Sequence, residues 1–256
     1  MSAGRLVAAA IATWAICGSA TAASIAIDVG HYLAEPGATS ARGRPELEFN
    51  RDLAGELRSA LDALGYRTQV IGADGGMQQL WRRPRAANGA DFFISVHHDS
   101  TQARFQGTWT FEGVEQRYSD RFAGFSLFVS RESRAWRHSL KCASAIGAAL
   151  VKAGFKPSLY HADPVVGENR PFADKLNGVH FFDHLAVLRR AAMPAVLFEA
   201  GVIANRDEEI RMRDDEVRRK IGAGVARGID ACLKKDEGGR TKDERKTNYE
   251  GTAHVE

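Results

Sequence analysis

Three polar residues stand at the ends of apolar, strand-like runs. His31 follows the run SIAIDV (residues 24–29) after one glycine, His97 closes DFFISVH (91–97), and Glu199 lies near the end of AVLFEA (195–200). Imidazole and carboxylate are the ligands of hydrolytic zinc sites, which use three protein groups and leave a fourth position for water. A carboxylate between the two histidines would complete such a set. Glu46 and Glu48, at the entry to a helix, are the candidates. Glu199 is set in the apolar stretch PAVLFEAG, where a carboxylate without a partner is costly to bury. A metal centre would account for it, as would an ion pair with an arginine such as Arg189.

The elements that must position these residues can be read from periodicity. Phe49, Leu53, Leu57, Leu61 and Leu64 form a helical stripe that Gly65 ends. Residues 67–71 read as a second strand, 78–88 as a helix with Pro84 tolerable only near its first turn, and 91–97 as a third strand. Further strands are expected at 107–111 and 124–130, and a helix at 137–153 before Gly154. Residues 157–177, polar and containing Gly and Pro, read as a long surface loop. After the strand at 195–200, Asn205-x-x-Glu208 resembles a capping box. It opens a helix with Ile210, Val217, Ile221, Val225 and Ile229 on one face. Strands alternating with helices predict a single α/β domain, a three-layer α/β/α sandwich around a mostly parallel or mixed twisted sheet. Ligands of such sheets lie beyond the carboxyl ends of the strands, where His31, His97 and Glu199 fall. No internal repeat or linker-like break interrupts residues 24–233.

The 256 residues are 44% hydrophobic and 26% charged, which excludes a disordered chain and a polytopic membrane protein. The net charge of +3 gives no reason to expect a nucleic-acid groove. Residues 1–23 read as a secretory signal peptide, with Arg5, an apolar run over 6–17, and small residues offering the cleavage sites Ala20-Thr21-Ala22 or Thr21-Ala22-Ala23. No second segment is long and apolar enough to span a bilayer. The chain is therefore expected to be exported, to the periplasm or outside the cell. Cys142 and Cys232 would then meet an oxidising compartment where they could pair. Residues 234–256 are charged and read as a disordered tail.

Other constellations carry less. His180 and His184 have the spacing of a helical zinc pair but lack the glutamate of H-E-x-x-H, and read as incidental histidines beside a groove. His138, His161 and His254 have no partner spacing. There is no Gly-x-Ser-x-Gly elbow. Basic runs such as 82–85 and 218–220 read as solvated helix faces.

Four blocks resemble the zinc-dependent N-acetylmuramoyl-L-alanine amidases of the Amidase_3 type, the bacterial cell-wall amidases. Ile27-Asp28-Val29-Gly30-His31 resembles the opening strand and first ligand. Glu46-Leu47-Glu48-Phe49-Asn50, with Leu53-Ala54, resembles the E-x-x-x-N-L helix start, and the spacing to Asn50 selects Glu46 over Glu48. Phe93-Ile94-Ser95-Val96-His97 resembles the F-I-S-I-H strand. Residues 194–201 (PAVLFEAG) with Asn205 resemble the last strand and its loop; Arg83 and Asn88 match a lesser helix signature. The resemblance spans about residues 24–233. It implies one Zn2+ held by His31, Glu46 and His97, with Glu199 as general base. The reaction implied is hydrolysis of the amide joining the lactyl group of N-acetylmuramic acid to L-alanine in peptidoglycan.

The chain departs from the family where Tyr32-Leu33 replaces a Gly-Gly pair and His98 replaces a small residue. His98 should sit at the rim or behind the ligands, because neighbouring strand residues face opposite ways, and Asp99 would orient a ligand histidine or cap the strand. A wall carboxypeptidase and a non-catalytic wall-binding protein are the alternatives. The expected partner is peptidoglycan, with room for a protein activator; nucleic acid is not expected, and the chain reads as a monomer.

Overall fold

The computed structural model describes residues 22–239. The leader expected over 1–23 lies outside the described residues except for Ala22 and Ala23, as does the chain beyond Gly239. Seven strands form one sheet in the order β2-β1-β3-β9-β6-β8-β7. Strands β1 (Ser24–Val29), β2 (Arg67–Ile71), β3 (Phe92–Asp99) and β9 (Ala195–Val202) run parallel. Strand β6 (Ser126–Val129) is antiparallel to β9, and β8 (Val179–Phe181) and β7 (Phe172–Asp174) complete that edge. The mixed sheet flanked by helices is the α/β architecture expected.

Alternation along the strands divides the core. Ile25, Ile27, Val29, Phe92, Ile94, Val96 and Phe198 face α1 (Glu46–Ala63), α3 (Trp136–Lys152) and α6 (Asp215–Gly239). Ala26, Phe93, Phe128 and Leu197 face a thinner layer formed with Val187 and Leu188 of α4 (Ala186–Arg189). Among the described residues no helix is long and apolar enough to cross a membrane. Cys142 of α3 and Cys232 of α6 form a disulfide across 90 residues of chain.

Several elements differ from expectation, each for a local reason. The 78–88 helix shrinks to α2 (Arg82–Ala86), with Gly89 at φ 88° closing the turn after it. The strand at 107–111 is β4 (Gly107–Phe111), and it pairs with β5 (Val114–Tyr118) in a hairpin separate from the sheet. Trp109 anchors that hairpin by donating Nε1 to the Ala41 carbonyl at 2.8 Å. The helix after Asn205 is two helices, α5 (Arg206–Arg213) and α6. Asp214 turns extended between them, and its Oδ1 accepts the amides of Glu216 and Val217 as a second N-cap. Ile210 consequently leaves the buried stripe and is exposed. Asn205 caps α5 as expected, but Glu208 does not close the capping box. Its Oε2 accepts the amides of Gly124 and Val202 instead. Helix α6 continues to Gly239, past Lys234 where the tail was expected to begin. The 157–177 segment is not merely a surface loop: Tyr160 and His161 are buried in it, and it contributes β7.

Candidate active site

His31, Glu46 and His97 meet at the carboxyl ends of β1 and β3. Each offers a ligand atom, and these atoms lie within 4.8 Å of one another. Glu46 stands between the imidazoles: His31 Nε2 is 3.0 Å from its Oε2, and His97 Nδ1 is 3.0 Å from its Oε1. One other group among the described residues has comparable spacing, His138 with Cys142 and Cys232, but its two sulfurs are consumed by the disulfide. Glu48, the other carboxylate considered, is exposed and pairs with Arg44.

Local sequence explains how the three converge. His31 has φ 68°, in the left-handed region that side chains seldom adopt. Arg83 holds it there from beneath. Its Nη1 donates to Asp28 Oδ1 at 2.7 Å and to the Val29 carbonyl at 2.5 Å, and its Nη2 donates to the carbonyls of His31 and Met77. Arg83 is 1% exposed, so it is not part of a solvated basic face. Glu46 opens α1, where free backbone amides and the helix dipole favour a carboxylate. Its pKa is opposed by burial, which raises it, but the hydrogen bonds and charge of His31 and His97 prevail and set it well below the usual range.

Asn50, one turn after Glu46, joins all three segments. Its Nδ2 donates to Glu46 Oε1 at 3.1 Å and to the Gly30 carbonyl at 3.3 Å, while its Oδ1 lies 2.8 Å from His98 Nδ1. The E-x-x-x-N spacing signalled a helix start; that the amide would also reach both histidine-bearing strands was not visible. His98 is not at the rim. It is buried on the opposite face of β3 from His97, against Phe49, and burial holds its ring neutral with a pKa pushed down to about 3.

Two glycines leave the room the side chains fill. A Cβ on Gly30 would lie 2.4 Å from the His97 ring, and one on Gly37 would lie 2.4 Å from Glu46 Oε2 and 2.6 Å from the His31 ring.

Glu199 is the register partner of His97, which places it beside the triad on the same sheet face. Its Oε2 is buried and accepts no hydrogen bond among the described residues. Burial, followed by the charges of Asp99 and Glu46, pushes its pKa well above the usual range. Arg189 does not neutralise it, because that guanidinium pairs with Glu132. The donor set of two imidazoles and a carboxylate suits a divalent zinc-type ion. A cation there would supply the opposite charge that the orphaned Glu199 lacks. Among the described residues the Asp99 side chain bonds neither candidate ligand histidine; its Oδ2 lies 2.6 Å from His161 Nε2. His180 and His184 are not a pair: His180 is buried in β8, and His184 is exposed beside Glu132.

The Amidase_3 family, described as N-acetylmuramoyl-L-alanine amidase, matches residues 25–231. The chain belongs to this family. It is 25% identical over 231 residues to N-acetylmuramoyl-L-alanine amidase AmiC of Neisseria meningitidis serogroup B (strain ATCC BAA-335 / MC58). That match takes in 80% of the chain and 51% of AmiC, so the chain spans about half the length of this curated relative. In fold it is similar to the N-acetylmuramyl-L-alanine amidase Ami1 from Mycobacterium smegmatis, with a TM-score of 0.66 and 23% identity over 83% of the chain and 97% of Ami1. It is also similar to the CwlD amidase from Clostridioides difficile, solved in complex with the GerS lipoprotein. There the TM-score is 0.61, with 18% identity over 84% of the chain and all of CwlD.

Proposed function

We propose that this protein is an exported zinc amidase that hydrolyses the bond between the lactyl group of N-acetylmuramic acid and L-alanine. The observation that carries the reading is the buried Glu199 Oε2, without a hydrogen-bond partner among the described residues, beside three converging ligand atoms in a chain of the amidase family. His31, Glu46 and His97 would hold one Zn2+. When bound, the ion supplies Lewis acidity, which activates water near neutral pH and polarises the scissile carbonyl. Glu199 Oε2 takes the proton of the attacking water and passes it to the leaving amine of L-alanine. Asn50 and Arg83 fix the backbone from which the ligands project, so the site needs little rearrangement as charge develops.

The signal-like sequence at 1–23 and the Cys142–Cys232 disulfide both support export to an oxidising compartment. Residues 24–233 would be the catalytic domain and 234–256 a tail that takes no part in catalysis. A protein activator belongs to the reading as well, since CwlD is seen with a lipoprotein partner.

The test is a digest of purified peptidoglycan with the leaderless chain, analysed by mass spectrometry alongside metal content. Intact stem peptides with a free L-alanine amine, about one zinc per chain and loss of cleavage on chelation are expected. Release of terminal amino acids instead would make it a carboxypeptidase, and binding without any release would overturn the enzyme reading.

A further inference from the structure

His161 lies outside the four family-like blocks, yet it is 7% exposed and fully engaged. Its Nε2 is 2.6 Å from Asp99 Oδ2 and its Nδ1 is 2.9 Å from Glu168 Oε2. A neutral imidazole has one donor and one acceptor nitrogen, so it cannot satisfy two carboxylates; a ring with a carboxylate at each nitrogen carries both protons. Glu168 is kept ionised, since Arg170 Nη1 donates to the same Oε2. Burial opposes its ionisation, but the hydrogen bond from His161 prevails and brings its pKa to about 2.

The other groups around the ring leave this arrangement intact. Phe128 of β6 meets it edge-on at 4.7 Å and Tyr160 adjoins it at 4.9 Å. His180 of β8, 5.9 Å away, is held neutral by burial, with a pKa of about 4. Burial lowers the His161 pKa, but the two carboxylates prevail and raise it to about 9.

Asp99 is what gives this clamp a bearing on the site. It follows the ligand His97 by two residues, and the β3–β9 register shifts between them. His97 is the register partner of Glu199 and Asp99 that of Val202, so Asp99 ends β3 beside the stretch of β9 that carries Glu199. We propose that His161 is a positioning residue of the metal centre, a buried imidazolium that neutralises and anchors Asp99 beside Glu199 and ties the 157–177 segment to the end of the His97 strand. The inference rests on the amidase reading for its catalytic consequence, but not for the protonation of the ring.

The experiment uses the zinc-loaded leaderless chain and the variants His161→Gln, Asp99→Asn and the double variant, each checked for zinc content. His161→Gln keeps a hydrogen-bonding side chain and loses the charge. It should lower kcat by about 10–100-fold, the scale found for residues that support a metal site without ligating it, with KM and zinc content within about twofold of the parent. Adding Asp99→Asn removes the uncompensated carboxylate and should restore most of kcat, which would not follow if His161 merely filled space. Parental kcat in His161→Gln, or a double variant no faster than His161→Gln, overturns the proposal. Nitrogen-15 spectra of the parent at pH 7.5 read the ring directly. Two protonated ring nitrogens are expected at His161, and a single one overturns the proposal. An inactive parent would sink the amidase reading, and those spectra would still decide the clamp.

Discussion

At the scale of single residues, the centre is defined by what is kept small and what is left unpaired. Gly30 admits the His97 ring, since a Cβ there would come within 2.4 Å of it. Gly30→Ala should therefore displace His97 and weaken zinc binding by at least tenfold, measured by competition with a chromophoric chelator; parental affinity would show that the ring has room to move. Glu199 and Glu46 are both carboxylates at the site, but their environments set them apart. Glu46 lies 3.0 Å from a ring nitrogen of each imidazole and takes hydrogen bonds from the amides of Ala38 and His98, whereas Glu199 Oε2 takes none among the described residues. A ligand and a base should respond differently to loss of charge. Glu199→Gln should retain zinc and lose about 10²–10⁴-fold in amide cleavage. Glu46→Gln should lose zinc first, because a neutral amide is the poorer ligand. Zinc content and cleavage measured side by side decide it, and the opposite pattern would exchange the two roles.

At the scale of elements, what was legible in the chain was what depends on neighbours in sequence. The strands β1, β2 and β9, the helices α1 and α3 and the Asn205 cap follow from short β-rich apolar runs, a 3.6-residue stripe and a side chain two or three residues from the amides it caps. His31 and His97 were legible as candidate ligands because strand ends gather on one rim, and Glu46 only through the resemblance of its E-x-x-x-N spacing to the family's helix start. What could not be read depends on distant partners. His161 shows no motif because Asp99 is 62 residues away, and Arg83 looks like a surface arginine until Asp28 is placed beneath it. The 157–177 segment looks like a loop for the same reason. The clamp also ties stability to pH. His161 is raised to about 9 from an unfolded value of about 6.5, so the folded state binds the extra proton. The stabilisation is fully present below about pH 6.5 and is lost as pH rises through about 9; 2.5 units correspond to about 3 kcal/mol. Urea unfolding of the parent and His161→Gln across pH 6–10 should show a gap that closes with rising pH, and a gap that stays constant or widens would contradict it.

At the scale of the whole molecule, the disulfide and the candidate metal site lie in different parts of the fold. The site is built from strand ends and the first turn of α1, whereas Cys142 and Cys232 join α3 to α6. Those two helices are also closely packed without it. A Cβ on Gly228 of α6 would fall 2.3 Å from the Ile146 Cα of α3, and one on Gly224 would fall 3.0 Å from Leu150. Ile146, Leu150, Ile221, Val225 and Ile229 share one buried cluster around the two sulfurs. The crosslink therefore acts mainly on the unfolded chain, whose 90-residue loop it closes. Its removal should lower stability by about 2–5 kcal/mol and the melting temperature by about 5–15 °C. Cysteines replaced together by alanine should leave zinc content and cleavage at 25 °C within about twofold of the parent, because the buried cluster still holds α6 against α1. Thermal unfolding, zinc analysis and the peptidoglycan digest on this double variant test the separation. Unchanged melting would mean that the sulfurs are not joined in solution, and loss of zinc at 25 °C would mean that the helix layer and the strand-end site are coupled after all.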